Sequence, residues 1–225
     1  MEKMHMNAFN QPDIASQVIE KAIGFGASLA GIANVISLRD SPSYKTYGPV
    51  EWPVEAKSTL VLALAHEASE PELDWWDDKK GGTPGNRRLM NMSKSLSKCL
   101  GEEFNIRVWP LPYHVEKGGI FLKDAAALAG LGIIGKNNLL ITPEFGPRVR
   151  LRALFLDMMM ESTGPINFNP CEACEDMPCR HTCPQKTFRD GSYSRILCNE
   201  QMKRDEANKV IFVKYCRACE LACVA

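Results

Sequence analysis

The stretch Cys171-Glu172-Ala173-Cys174-Glu175-Asp176-Met177-Pro178-Cys179-Arg180-His181-Thr182-Cys183-Pro184 decides how this chain is read. It sets four thiols at gaps of two, four and three residues, and a second run follows as Cys198-x17-Cys216-x2-Cys219-x3-Cys223. Eight of the nine cysteines lie after residue 170. Only Cys99 stands apart, beside an apolar helical stripe where a thiol packs as a small apolar group. The N-terminus, Met1-Glu2-Lys3-Met4-His5, leads into polar sequence without an apolar signal segment. No window approaches the roughly 18 consecutive apolar residues of a membrane span. These features predict a cytoplasmic protein with no membrane partner, whose clustered thiols are metal ligands rather than a disulfide framework.

Four thiolates around a compact inorganic core hold a [4Fe-4S] cluster, and two-cluster ferredoxins lend the fourth cysteine of each run to the other cluster. On that logic Cys171, Cys174, Cys179 and Cys223 hold one cluster, and Cys183, Cys198, Cys216 and Cys219 hold the second. Two features depart from the ideal run: the second gap is four residues instead of two, and Val224 rather than proline follows the last cysteine. A pair of four-thiolate zinc sites is the alternative. Two clusters would form an electron wire, which either ends at an acceptor in the first 165 residues or makes the protein a simple carrier.

The 225 residues are 45% hydrophobic and 24% charged, which excludes a disordered chain. Lys+Arg and Asp+Glu are equal at 27 each, so binding of nucleic acid through general backbone electrostatics is disfavoured. Composition shifts near residue 165, predicting a larger α+β part over 1–165 and a small cysteine-rich part over 166–225 that leans on metal for stability. In the first part, Asp13 caps a helix whose inner face uses Ile14, Val18, Ala22 and Ile23. Leu29–Ala33 and Thr59–Ala65 read as strands, the latter apolar throughout and therefore central. Leu89, Met92, Leu96, Leu100 and Phe104 mark the longest helix. A strand over Ile106–Trp109 and a helix over Ile120–Leu128 follow, while Ser41 to Pro53 reads as loop. In Arg148–Ala153 the three arginines alternate with apolar residues, predicting a half-buried strand with a positive outer side. Trp75 and Trp76, among Asp74, Asp77 and Asp78, are candidates to cap a pocket.

Gly130, Gly132 and Gly135 interrupt an apolar run and permit close backbone approach, and Lys136, Asn137 and Asn138 then offer hydrogen-bond donors for phosphate or amide groups. The same residues also suit a plain helix-to-strand turn. They do not form a dinucleotide motif, because the glycines follow a helix and not a strand. The segment Ala129-Gly130-Leu131-Gly132-Ile133-Ile134-Gly135-Lys136-Asn137-Asn138-Leu139-Leu140-Ile141, continuing through Pro143-Glu144-Phe145-Gly146-Pro147-Arg148-Val149-Arg150-Leu151, resembles the signature of epoxyqueuosine reductases and related corrinoid iron–sulfur proteins, a group that extends to reductive dehalogenases.

That resemblance implies a nitroreductase-like first domain that binds cobalamin against a ferredoxin-like double-cluster domain, with flavin as the alternative cofactor on the same fold. It implies cofactor contacts from Gly130, Gly132, Gly135, Lys136, Asn137, Asn138 and Arg148. The family's proton donor falls at Glu116, with His114 and Tyr113 as neighbouring donors. The activity implied is a cobalamin-dependent iron–sulfur reductase acting on a small organic substrate and fed by reduced ferredoxin or flavodoxin. Related activators instead pass electrons to a separate corrinoid protein. No Asp-x-His-x-x-Gly stretch is present, so a histidine lower ligand is not expected. The chain stops two residues beyond Cys223, without the helical-repeat region by which epoxyqueuosine reductases help hold transfer RNA, so transfer RNA is not the expected substrate.

Overall fold

The computed structural model of the chain describes residues 13–69, 71–74, 80–208 and 216–225. Its centre is a four-stranded antiparallel sheet in the order β1-β2-β6-β3, with β1 at Leu29–Asn34, β2 at Ser58–Ala65, β3 at Val108–Pro110 and β6 at Val149–Leu156. Strand β2 is central, as its unbroken apolar run predicts, and pairs Gly31 with Val61 on one side and Val61 with Ala153 on the other. Helices cover both faces. Ile32, Leu60, Leu62, Leu154 and Leu156 pack against α1 (Ile14–Gly24) and α4 (Pro84–Phe104). Val61, Ala63, Ala153 and Phe155 pack against α2 (Val35–Arg39), α3 (Pro42–Tyr47) and α5 (Leu122–Leu128). Each fully buried leucine in these layers contributes about 1.5–3 kcal/mol over an exposed one.

Local signals explain most of these elements. The Asp13 carboxylate accepts from the Ser16 amide at 2.7 Å and starts α1. Within that helix Val18 and Ala22 are buried, but Ile14 and Ile23 are exposed, so the inner face is narrower than predicted. Thr83 caps α4, Pro84 occupies its first turn, and Leu89, Met92, Leu96 and Leu100 are buried. Cys99 is half-exposed and donates to Glu103 instead of packing as an apolar group. The segment predicted as loop contains α3, because Ser41-Pro42 supplies a helix start and Tyr44 packs into the core. Strand β3 begins two residues later than predicted and ends at Pro110, a residue tolerated only at a sheet edge. Trp75, Trp76, Asp77 and Asp78 lie outside the described residues.

The other rim of the sheet is held by side chains from 162–163. Thr163 Oγ1 accepts from the Ile32 amide at 2.9 Å and donates to the Ala129 carbonyl at 2.7 Å, while Ser162 Oγ accepts from the Asn34 amide at 2.9 Å. Gly31 sits under this joint. A Cβ there would lie 2.3 Å from the Ala129 carbonyl oxygen.

Beyond the sheet, the described residues of 166–225 form α6 (Pro178–His181), a 3-10 turn at Arg189–Gly191, α7 (Arg195–Asn208) and α8 (Ala218–Leu221), with no strand among them. The paired strands of a ferredoxin-like unit are therefore missing from the described residues, which corrects that part of the predicted fold class; the mixed α/β character stands.

The arginine-bearing face of β6 also differs from expectation. It turns inward, and Arg152 is only 4% exposed. Arg150 Nε donates to Asp74 Oδ1 at 2.9 Å, and its Nη2 pairs with Asp74 and, at 3.0 Å, with Glu220 Oε2. Arg217 Nε donates to Glu220 Oε1 at 2.8 Å, and Arg217 Nη1 donates to the Ala68 carbonyl at 3.2 Å. Burial opposes the Arg150 charge, but the Asp74 and Glu220 carboxylates outweigh it and hold the guanidinium firmly protonated. Two cations and two anions thus pin the thiol-bearing α8 to the central sheet.

Two outcomes follow from this packing. Gly31→Ala has to displace backbone, so it should cost about 1–3 kcal/mol, read as a fall in the thermal midpoint. Arg150→Met strands the buried Asp74 carboxylate and takes from Glu220 one of its two guanidinium partners, and should cost about 3–5 kcal/mol, read as a lower denaturant midpoint with a folded spectrum in native buffer.

Candidate functional site

Of the predicted site residues, Gly135, Lys136, Asn137 and Asn138 form the tip of a short hairpin. Strands β4 (Ile133–Ile134) and β5 (Leu140–Ile141) pair Ile133 with Ile141, leaving Gly135 to Leu139 as the turn. The Asn138 amide donates to the Gly135 carbonyl at 2.8 Å, and Asn138 takes a left-handed φ of 58° that asparagine tolerates. Lys123 Nζ, from the first turn of α5, donates to the Asn138 carbonyl. Asn137 is buried; its Oδ1 accepts from the Leu139 amide at 3.1 Å and its Nδ2 donates to the Cys219 carbonyl at 3.5 Å. The Lys136 amide donates to Cys171 Sγ at 3.4 Å. One four-residue turn therefore touches both cysteine runs.

Around it the thiols lie in two neighbourhoods. Cys171, Cys174, Cys179 and Cys223 line a cavity of about 90 Å³ together with Lys136 and Met177. Burial raises the Cys179 pKa, and the nearby Cys223, Cys171 and Cys174 thiols raise it further. In the second neighbourhood Cys219 is pushed up to about 12, first by burial and then by Cys216, Cys198 and Cys183. Cys216 rises for the same first reason. Cys183 goes the other way: burial would raise it, but the Thr187 hydroxyl at 3.2 Å and the amides of Thr187, Gln185 and Lys186 stabilise its thiolate and win. Burial lowers the Lys123 pKa against the pull of Asp124, Cys198 and Cys219, and burial raises Tyr193, which bonds to Cys198 and Asn138.

Among the described residues, no group of three or more His, Cys, Asp or Glu side chains is placed to hold a metal ion. The thiols of the first set border an open space, and spacing along a chain fixes neither the separation nor the aim of the sulfurs. The two expected [4Fe-4S] clusters, and the double-cluster domain built on them, are overturned by this arrangement. The cobalamin and flavin expectations go with them, since each was cast as the acceptor of cluster electrons. So do the ferredoxin or flavodoxin donor and the corrinoid-protein partner, and with them the description of the chain as a cobalamin-dependent iron–sulfur reductase or an electron carrier.

A Cβ on Gly130 would meet the Thr163 carbonyl at 2.8 Å, and one on Gly132 would meet the Ile141 carbonyl at 2.0 Å. Gly135 has the Ile141 side chain 2.3 Å from the same point. The room these glycines create is taken up by backbone at Thr163 and Ile141 and by the Ile141 side chain. Arg148 is half-exposed, and its carbonyl accepts from the His66 amide at 3.1 Å.

Tyr113, His114 and Glu116 stand together on the 3-10 turn at Val115–Lys117 that follows β3. His114 Nδ1 lies 3.3 Å from Glu116 Oε1, and the Tyr113 and His114 rings meet edge-on at 5.5 Å. All three side chains are more than half exposed. Sequence reasoning did not single out Lys123, His66, Arg217 or Glu220. A signal existed for the last two, which sit three residues apart between the closing cysteines, the spacing of an ion pair on one helical turn. No helix among the described residues is long and apolar enough to cross a membrane.

No family model matches the chain. It is similar to tetrachloroethene reductive dehalogenase of Sulfurospirillum multivorans, at 34% identity over 44% of this chain and 22% of the relative. It is similar to epoxyqueuosine reductase of Lactococcus garvieae, at 28% identity over 84% of this chain and 53% of the relative. The chain therefore spans about half or less of the length of these curated relatives. The solved epoxyqueuosine reductase from Streptococcus thermophilus superposes with a TM-score of 0.64 at 21% identity, covering 94% of this chain and 65% of that one. The fold described above is thus shared with the matched part of that epoxyqueuosine reductase, and the chain is similar in sequence to epoxyqueuosine reductases and reductive dehalogenases.

Proposed function

We propose that this chain is an enzyme of the epoxyqueuosine reductase and reductive dehalogenase kind, carrying out the reductive cleavage of a carbon–heteroatom bond with two electrons from an external low-potential reductant, the heteroatom leaving as halide after uptake of one proton by carbon or as water after uptake of two protons. The names of its relatives supply the two bond types, the carbon–oxygen bond of an epoxide and the carbon–halogen bond of a chloroalkene. The observation that carries the assignment to this site is the Gly135–Asn138 turn, whose backbone and side chains reach Cys171 on one side and Cys219 on the other. Activity depends on Cys171, Cys174, Cys179, Cys183, Cys198, Cys216, Cys219 and Cys223, two of which meet the turn directly, through the Cys171 thiol and the Cys219 carbonyl. The Glu116–His114 pair, with Tyr113, supplies the proton that such a cleavage consumes. The division into 1–165 and 166–225 then separates the scaffold from the thiol-bearing part. Nine free cysteines suit a reducing compartment, and the cytoplasm is the setting proposed.

The test uses the chain purified without oxygen, dithionite-reduced methyl viologen as electron source, and two substrates: tetrachloroethene and an epoxyqueuosine-bearing transfer RNA stem-loop. Turnover of one of them is expected, and no turnover of either overturns the proposal. Glu116→Gln should lower kcat about a hundredfold, the low end for a lost general acid, with no change in thermal midpoint because the side chain is exposed. An unchanged kcat removes Glu116 from the reaction.

A further inference from the structure

His66 is a buried ionisable side chain that the proposed reduction does not use. Its side chain is 1% exposed and sits just past the end of β2. Arg150 of β6, Asp74 at the end of a 3-10 turn over Pro71–Asp74, and Arg217 and Glu220 of the C-terminal segment all face it, while the next residue in the chain, Glu67, is exposed. Nδ1 lies 3.4 Å from Arg217 Nη2, a donor, so the ring must accept there and be neutral. Nε2 lies 3.6 Å from Glu220 Oε1, beyond hydrogen-bond reach, and has no hydrogen-bond partner among the described residues. With His66 neutral, the charges of Arg150 and Arg217 balance those of Asp74 and Glu220 among the described residues. One more proton leaves a buried net positive charge between two guanidinium groups.

We propose that His66 is a proton-operated latch on the thiol-bearing C-terminal segment. Neutral, it lets Arg217 and Glu220 seat against the sheet. Protonated, it meets Arg150 and Arg217 without water, a cost that outweighs its attraction to Glu220 and Asp74, so α8 lifts and both thiol neighbourhoods open to solvent, since Cys219 belongs to one and Cys223 to the other. Burial, reinforced by Arg150, pushes the ring pKa down against the pull of Glu220 and Asp74. In the undocked form the imidazole regains its ordinary value near 6.5. Docking is therefore full above about pH 6.5 and weakens as the pH falls below it, because the undocked form takes up the proton first. The consequence for activity rests on the function proposed above; the latch rests on the docking geometry alone.

Amide hydrogen exchange of residues 216–225 in the full chain, corrected for intrinsic rates, tests this. Protection should fall about tenfold between pH 7.5 and 5.5, the change expected for one proton taken up by a group with an ordinary imidazole pKa. In His66→Gln it should stay level across that range. Constant protection in the unaltered chain overturns the latch, as does an equal fall in His66→Gln. If that variant does not fold, the His66 ring resonance in the unaltered chain serves instead: its titration must share the midpoint of the protection loss, and a separate midpoint overturns the proposal. Turnover enters neither measurement, so absence of reductase activity and absence of a latch are told apart.

Discussion

Arg150 can occupy a central strand only because two carboxylates come to meet it. A guanidinium on the inner face of β6 faces a desolvation cost of several kcal/mol, and Asp74 and Glu220 offset it with charge-assisted bonds from opposite ends of the chain. The requirement is mutual. Glu220 is 4% exposed and would be an unpaired buried charge without Arg150 and Arg217. Folding the sheet therefore creates the seat for α8, and seating α8 neutralises the sheet. The cysteines on and around that helix take their positions from this exchange, not from a hydrophobic core of their own.

The Gly135–Asn138 turn completes the placement from the other side. Its contacts to the thiol-bearing segment include a backbone amide to Cys171, an amide side chain to the Cys219 carbonyl and a bond between Asn138 and Tyr193, all short-range and directional. The glycines around it let α5, the hairpin and residues 163–164 approach at backbone distance. They permit this close approach, and the turn they flank carries a left-handed Asn138 beside the thiols. Cys183 shows how local the tuning is: four donors within four residues stabilise its thiolate while its buried neighbours resist ionisation.

Much of the scaffold was legible from apolar period and caps, because those signals are local. Asp13, Thr83 and the Leu89–Leu100 stripe act within a few residues of themselves, and the run at 58–65 could hardly be anything but a central strand. Strands β4 and β5 were missed because two-residue strands have no alternation to display. Helix α3 was missed because Ser-Pro marks a turn and a helix start equally well. Alternation put the arginines of β6 on one face correctly but could not say what covers it, since the partners of Arg150 lie 76 and 70 residues away. The cysteine spacing failed for a related reason. It speaks of neighbourhood, whereas a metal site demands a convergence of side chains that the described residues do not show.

The two outer strands leave the sheet little opportunity to grow. On one flank the hydroxyls of Ser162 and Thr163 already occupy backbone donors of Asn34 and Ile32, and the Thr163 amide takes the Ile32 carbonyl at 2.9 Å. On the other flank Pro110 withholds the amide that an incoming strand would need. Unsatisfied rims are where sheets of separate molecules join and begin to aggregate. A chain so rich in thiols gains from this, because copies that do not stack edge to edge are less often brought together for cross-linking.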